Sequence, residues 1–393
     1  MSQYLLIERI KVQNANAASG FTWGFPAITH FLGFSHNLNR KLQTNEELSS
    51  LALDGCAVVA HEQHVHVYKD YGVTRFSQYK TSHLREVNFE KDGTLKGAAI
   101  IEEAKMNMTV SLLIPVEGYL GGLQESLIEF VKNTCQIQRL AGGTVLSVAN
   151  VDIIDLAKDE QLKSVRRKLL PGFVLQDRSD YLAEHFSMLK ESNPKAELLD
   201  AWFDFIALKQ VARPACELLD KHLANQAEKS EPLSLLNDIW LEHKSQPYQQ
   251  EQLPNELITY FVEHQESINP KTLMQWQNYL EPNEKTSANW EYVKKPQAGY
   301  LVPIMTGYKA ITDVYPAGEI DGARDFETDL CFVEAVHSVG EWQSVHRLKT
   351  LEQWQTSVWR YAPYEKDWYM CQQGALTENQ ALPTESSSDE VYY

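Results

Sequence analysis

The stretch QNANAASGFTWGFPAITHFLGFSHNLNRKL, Gln13 to Leu42, decides the fold, because it joins a strand to a helix. Just before it, Leu6, Ile10 and Val12 alternate with Arg9, Lys11 and Gln13, the period-two pattern of a strand with one buried face and one face of basic and amide groups. Just after it, Pro26 is expected at the first position of a helix, where a missing N–H costs nothing. Ala27, Phe31, Phe34, Leu38 and Leu42 then recur at helical spacing and form an apolar stripe to lie on a sheet. Gly33 is expected to permit close approach, with His30, Asn37 and Lys41 on the other side. Between the two elements stand Asn14, Asn16, Ser19, Gly20, Trp23 and Phe25. Amides, a permissive glycine and large rings together suit a splayed nucleotide.

Working outward, residues 56–68, 104–116 and 144–148 read as strands and 125–138 as a helix, which gives the order βαββαβ over the first 150 residues. That order is the ferredoxin-like or RRM-like one, so the expected fold class is α+β. The polar and aromatic segment 69–97, between the middle strands, reads as a projecting arm. Further on, Arg166, Arg167 and Lys168 precede LLPGF, where Pro171 and Gly172 stop the helix and park a basic cluster beside a turn. Residues 179–289 are helical and broken by prolines, an inserted domain. Residues 290–360 return to short strands that pack back on the palm, and 361–393 form an acidic tail expected to be partly disordered.

At 393 residues, 43% of them apolar, the chain has length enough for two or three domains and a large core. No apolar run approaches the roughly 18 residues of a membrane span, and Tyr4 to Ile7 is too short for a signal peptide, so a cytoplasmic protein is expected. Five scattered cysteines without a CxxC pair predict reduced thiols rather than disulfides or a zinc site. A net charge of −17 argues at first against a nucleic-acid partner. However, residues 1–180 carry 19 basic against 20 acidic groups, whereas 181–290 carry 9 against 17 and 365–393 carry 1 against 6. The acidity sits in the middle and the tail, which leaves room for a local RNA contact.

Several motifs invite chemistry. His64 and His66 share a strand face, but spacing supplies no third metal ligand, and no metal or other cofactor is expected. Gly142 and Gly143, next to Arg139, either cradle a phosphate or serve a helix cap and a tight turn. His36 and His30 are candidates for general acid–base RNA cleavage, although no spaced partner base accompanies them. Trp23 and Phe25 stack bases or belong to the core. No RNP1-like aromatic pattern marks the third strand, which argues against base stacking on the sheet.

Five blocks in order, QNANA with TWGFP and FLGFSH (Gln13 to His36), RLAGGT (Arg139 to Thr144), RRKLLPGF (Arg166 to Phe173), YLVPIMTGY (Tyr300 to Tyr308) and GEWQSVHR (Gly340 to Arg347), carry a family resemblance. The sequence resembles the second Csy subunit, of the Cas-five group, in the type I-F CRISPR surveillance complex. The resemblance covers roughly residues 4–178 and 290–350. It implies an RRM-like palm with a thumb at about 69–97, and a non-catalytic subunit that holds the 5′ handle of the CRISPR RNA. The implied partners are the large Csy subunit, in a heterodimer, and the last copy of the backbone Csy subunit, with contact to target DNA near its flanking motif left open. On this reading Asn14 and Asn16 meet base edges or phosphates, and Trp23 or Phe25 stacks a base. Arg139, Arg166, Arg167, Lys168 and Arg347 neutralise phosphates, and His36, Gly142, Gly143 and His346 lie in the same matched blocks. The alternatives are a metal-independent ribonuclease using His36 and a protein-interaction module built on the acidic helical domain.

Overall fold

The computed structural model describes residues 2–80, 91–93, 100–246, 252–323, 325–363 and 367–374. The chain divides into two units, residues 1–202 with 298–393, and residues 203–297.

The first unit is built on one antiparallel sheet of α+β architecture. Its opening strand, Gln3–Asn16, pairs on one side with Lys105–Glu117 and on the other with Gly143–Ser147 and Asn150–Asp155. Lys105–Glu117 in turn pairs with Ala57–Val65. In chain order these strands lie fourth, first, third, second, and the sheet continues through Phe173–Asp177, Val333–Ser344, Leu301–Ala310, Trp368–Gln373 and Trp359–Pro363. It curls back on itself. Trp359 exchanges backbone hydrogen bonds of 2.9 and 3.0 Å with Cys56, at the threshold of the second strand.

Two helices, Ile28–Gln43 and Gln124–Ile137, cover one face of the sheet. Phe31, Phe34, Leu38, Leu127, Val131 and Cys135 close there over Leu5, Ile7, Ile10 and Val12. The first helix starts two residues later than Pro26, with Ala27 as its N-cap. Gly33 is exposed, and a Cβ added there would meet nothing within 4 Å. The helix therefore packs through its large side chains and not through a glycine notch. On the other face Tyr4 and Leu6 join Ile154, Leu162, Val165, Leu169 and Trp354 under the helices Asp159–Lys168 and Leu351–Thr356.

Simple alternation puts Leu6 with Ile10 and Val12, yet Leu6 faces away from them. The reason is a β-bulge: Glu8 and Arg9 together oppose the single residue Ser111, between the pairs Ile7↔Leu112 and Ile10↔Val110. One extra residue resets the phase, so Leu5, Ile7, Ile10 and Val12 all reach the helix side.

The second unit gathers the helices Glu217–Ala227, Glu231–Ser245, Asn255–Glu263 and Pro270–Leu280 around Trp240, Tyr260, Phe261 and Trp276. A two-stranded ribbon, Gln210–Pro214 with Ala288–Tyr292, belongs to it. No described helix is long and apolar enough to cross a membrane.

Candidate nucleic-acid interface

Beyond the cover of the helix Asp159–Lys168, the second face of the sheet is bare and polar. Three bulges shape it. The first displays Arg9, with φ of +47°, whose N–H donates to Ser111 Oγ at 2.8 Å. The second sets Gln13 and Asn14 against Asn107, and there Asn14, at φ +56°, donates its N–H to Asn107 Oδ1 at 3.1 Å. The third adds His61 to the Ala57–Val65 strand. In the first two, the N–H that the bulge strands from the ladder is taken by a side chain of the facing strand, which satisfies a backbone donor otherwise left unpaired.

The register then draws polar side chains into rows across the face. Arg139 lies opposite Thr144, Thr144 opposite Gln13, and Asn107 opposite His64. The next row runs Ser147, Lys11, Thr109, Glu62. A third holds Arg9, Ser111 and His61. Arg139, Thr144, Gln13, Asn14, Asn107, Lys11 and His64 are exposed, while Thr109 and Ser111 lie beneath them. Gln13 lies four residue steps beyond Arg9, so the rows span about 13 Å along the strand.

The basic turn docks at the lower end of these rows. Arg9 Nη2 donates to the Leu170 carbonyl at 2.9 Å, and His61 Nδ1 lies 2.7 Å from the Pro171 carbonyl. A carbonyl only accepts, so Nδ1 carries the proton, and Nε2, 2.8 Å from Ser111 Oγ, accepts from that hydroxyl. Burial holds His61 below the usual histidine range, and the nearby Arg9 adds to this, while the Pro171 bond opposes it. The folded state therefore favours neutral His61, and stability falls as pH drops from the unfolded value of about 6.5 towards the lowered folded one. Replacing His61 with Asn is expected to cost about 1–2 kcal/mol at pH 7 and to flatten the loss of stability between pH 7 and 5 in urea titrations. A variant as steep as the wild type means that His61 does not carry this dependence.

The sequence-predicted residues divide into groups. Asn14, Arg139, Gly142 and Gly143 come together at the upper end. Ala141 and Gly142, at φ +50° and +72°, form a two-residue hairpin turn between the paired Leu140 and Gly143. A Cβ on Gly143 would meet Ala15 N and Gln13 O at 2.7 Å. Gly143→Ala is accordingly expected to destabilise the protein by about 1–3 kcal/mol in chemical denaturation and to loosen this corner, whereas an unchanged midpoint means that the corner is slack.

Arg166, Arg167, Lys168, His346 and Arg347 gather at the basic turn. Arg166 is committed there, its Nη2 donating to the His346 carbonyl at 2.8 Å. Lys168 lies 3.1 Å from Glu8 and 2.9 Å from Asp152. Arg167, His346 and Arg347 are exposed.

The loop of the corner is more closed than its composition suggests. Asn16 bonds Ala18 through both ends of its amide, at 3.0 and 3.1 Å. Phe25 stacks on Phe31 with ring centroids 5.4 Å apart and takes Trp342 edge-on, so its ring belongs to the core. The loop forms a small hairpin, Ala18–Ser19 with Thr22–Trp23, whose Gly20 leaves a Cβ no room against His337. Trp23 remains half exposed, packed on Phe76 at the root of the arm. His36 is exposed on the helix that covers the opposite face, away from the rows. His64 and His66 have ring centroids 6.1 Å apart, and among the described residues no group of three or more His, Cys, Asp or Glu is placed to hold a metal.

Sequence reasoning missed Asn107, Thr109 and Ser111. The signal was the alternation of MNMTVSLL, where every second residue from Asn107 is small and polar.

A family model for the CRISPR-associated protein Csy2 matches residues 5–231 and 213–371. The curated CRISPR-associated protein Csy2 of Pseudomonas aeruginosa (strain UCBPP-PA14) is 30% identical over 364 residues, which is 88% of this chain and 88% of that protein.

Proposed function

This chain belongs to the CRISPR-associated Csy2 family, a subunit family of the type I-F surveillance complex, and from that premise we propose that its bare sheet face holds the 5′ handle of the CRISPR RNA. The observation that carries the reading is the set of polar rows, open from Arg139 across Gln13 to His64 and ending on a basic turn. Lysine and arginine there suit phosphates, and the amides of Gln13, Asn14 and Asn107 suit base edges. The rows carry no Phe, Tyr or Trp; their rings are the imidazoles of His61, bonded to Pro171 and Ser111, and of exposed His64, so hydrogen bonding does most of the reading. His64, and Trp23 at the margin, are the rings left for stacking.

On this reading the first 178 residues are an RRM-like palm, whose strand order fourth, first, third, second matches that fold. The arm 69–97 is its thumb, of which 81–90 and 94–97 lie outside the described residues. Residues 179–289 are the helical insertion and 290–360 the part that returns to the palm. Of the expected acidic tail, 361–393, the stretch Trp368–Gln373 is instead a strand of the sheet, and 364–366 and 375–393 lie outside the described residues. The subunit works without catalysis in the cytoplasm, beside the large Csy subunit and a backbone subunit, with target DNA near its flanking motif as a further contact. His36 sits on the far side of the sheet from the rows, which supports holding rather than cutting.

The test is to purify the chain with the large subunit and guide RNA, extract the bound RNA and sequence its 5′ ends. A single common handle is expected. Random 5′ ends contradict the proposal, and handle RNA shortened by the pure protein returns the ribonuclease reading.

A further inference from the structure

The ribbon of the second unit presents a feature that the handle reading does not use. From Trp290 to Lys294, at the end of the strand Ala288–Tyr292 and just past it, exposure alternates: Trp290, Tyr292 and Lys294 are exposed, and Glu291 and Val293 less so. Trp290 is 67% and Tyr292 68% exposed, a large outlay of ring surface to leave in water. The opposite side of the ribbon is fastened down. Arg213, buried there, donates to Glu291 at 3.2 Å and to the Lys244 carbonyl at 2.8 Å. Across the ladder, Ala212 lies opposite Trp290 and Gln210 opposite Tyr292, small or polar neighbours that leave both rings uncovered.

We propose that this ribbon is a stacking platform for an unpaired nucleic-acid strand, separate from the handle face. Residues two apart on a strand stand about 6.6–6.8 Å apart, close to twice the thickness of one stacked ring, so one base fits between Trp290 and Tyr292. Lys294, next on the same face, meets the phosphate beside it, and Lys295 follows. Between residues 203 and 297 the chain has nine lysines and arginines against fourteen aspartates and glutamates, and two of those nine cations, Lys294 and Lys295, follow the rings directly, which favours an anionic strand at this spot over the rest of the unit. Rings stack on any base and touch neither sugar edge, so the platform reads neither sequence nor sugar.

The test uses the full chain carrying Lys11→Glu and Arg139→Glu, which removes the handle face from the measurement, with fluorescence anisotropy of labelled oligo-dT and oligo-U. With the ribbon intact, both oligonucleotides bind. Trp290→Ala with Tyr292→Ala weakens both by roughly tenfold per ring, and Trp290→Phe with Tyr292→Phe stays within about threefold of the parent. These residues are exposed, so the fold survives, which an unchanged thermal midpoint verifies. No measurable binding with the ribbon intact, or equal binding by the alanine pair, overturns the proposal. So does a loss confined to one sugar. Unchanged oligonucleotide binding with lost assembly into the complex assigns the ribbon to a protein partner instead.

Discussion

Handle RNA is expected to bind ten- to a hundredfold more weakly when Lys11 and Arg139 are both changed to glutamate. Both side chains are exposed, and they lie on neighbouring rows of the bare face. Each lost phosphate contact on a single strand lowers the slope of log affinity against log salt by about 0.7, so the double variant is expected to lose about 1.4 from that slope. The slope is the discriminating quantity, because a misfolded protein loses affinity without a defined change in it. Lys168→Ala provides the contrast. Its ammonium is held by Glu8 and Asp152, so removing it leaves two carboxylates facing one another and costs stability of about 1–2 kcal/mol with little change in the salt slope. Burial pulls the Lys168 pKa down, but the bonds to Asp152 and Glu8 outweigh it and raise it overall, so this contribution is fully present below the ordinary lysine value and is lost as pH rises from there through the raised folded one. A Lys11→Glu/Arg139→Glu protein that binds the handle like the wild type, with an unchanged slope, removes the bare face from the account.

Trp359→Ala is expected to be the most damaging single change to the first unit, at about 3–5 kcal/mol in urea denaturation. The side chain is fully buried in the core beneath the helices, and its indole N–H donates to the Leu175 carbonyl at 3.1 Å. Its backbone also ties the far end of the sheet to Cys56. Removing the ring opens a cavity at the place where the sheet meets itself, and the Leu175 carbonyl loses one of its two side-chain donors, keeping Gln373 Nε2 at 2.8 Å. Trp359→Phe restores much of the volume without the N–H, so it is expected to recover more than half of the loss. A cost below about 1 kcal/mol for the alanine variant means that the C-terminal strands do not brace the sheet.

Periodicity carried the reading of the first unit a long way. Strands and helices near 57–65, 105–117, 124–137 and 143–147 were legible because their apolar residues recur at two or at three and four. The failures came where one residue breaks the count. The bulge at Glu8 and Arg9 moves Leu6 to the opposite face from Ile10, and nothing in the local composition announces it. A bulge is fixed by the facing strand, through the Ser111 hydroxyl, which lies about a hundred residues away. The same holds for Asn14 and Asn107.

The site was legible in part for the same reason. Lys11 and Gln13 were visible as a polar strand face, and Arg139 with its two glycines as a turn. The rings of the corner part company: Phe25 and Trp23 look alike in sequence, but Phe25 is claimed by Phe31 and Trp342, whereas Trp23 packs on Phe76 and stays half exposed. Whether an aromatic ring faces water or the core is a tertiary outcome, and single-sequence patterns leave it open. Likewise the run Arg166, Arg167, Lys168 reads as three equal cations. The fold commits Arg166 to the His346 carbonyl and Lys168 to two carboxylates, and leaves Arg167 exposed.

The most direct measurement is photocrosslinking in the assembled complex, with 4-thiouridine placed at successive positions of the guide's 5′ handle and the joined peptides mapped by mass spectrometry. Crosslinks are expected within residues 9–16, 105–111 and 139–147, the strands that form the polar rows. Crosslinks confined to the helix Ile28–Gln43, on the opposite side of the sheet, contradict it.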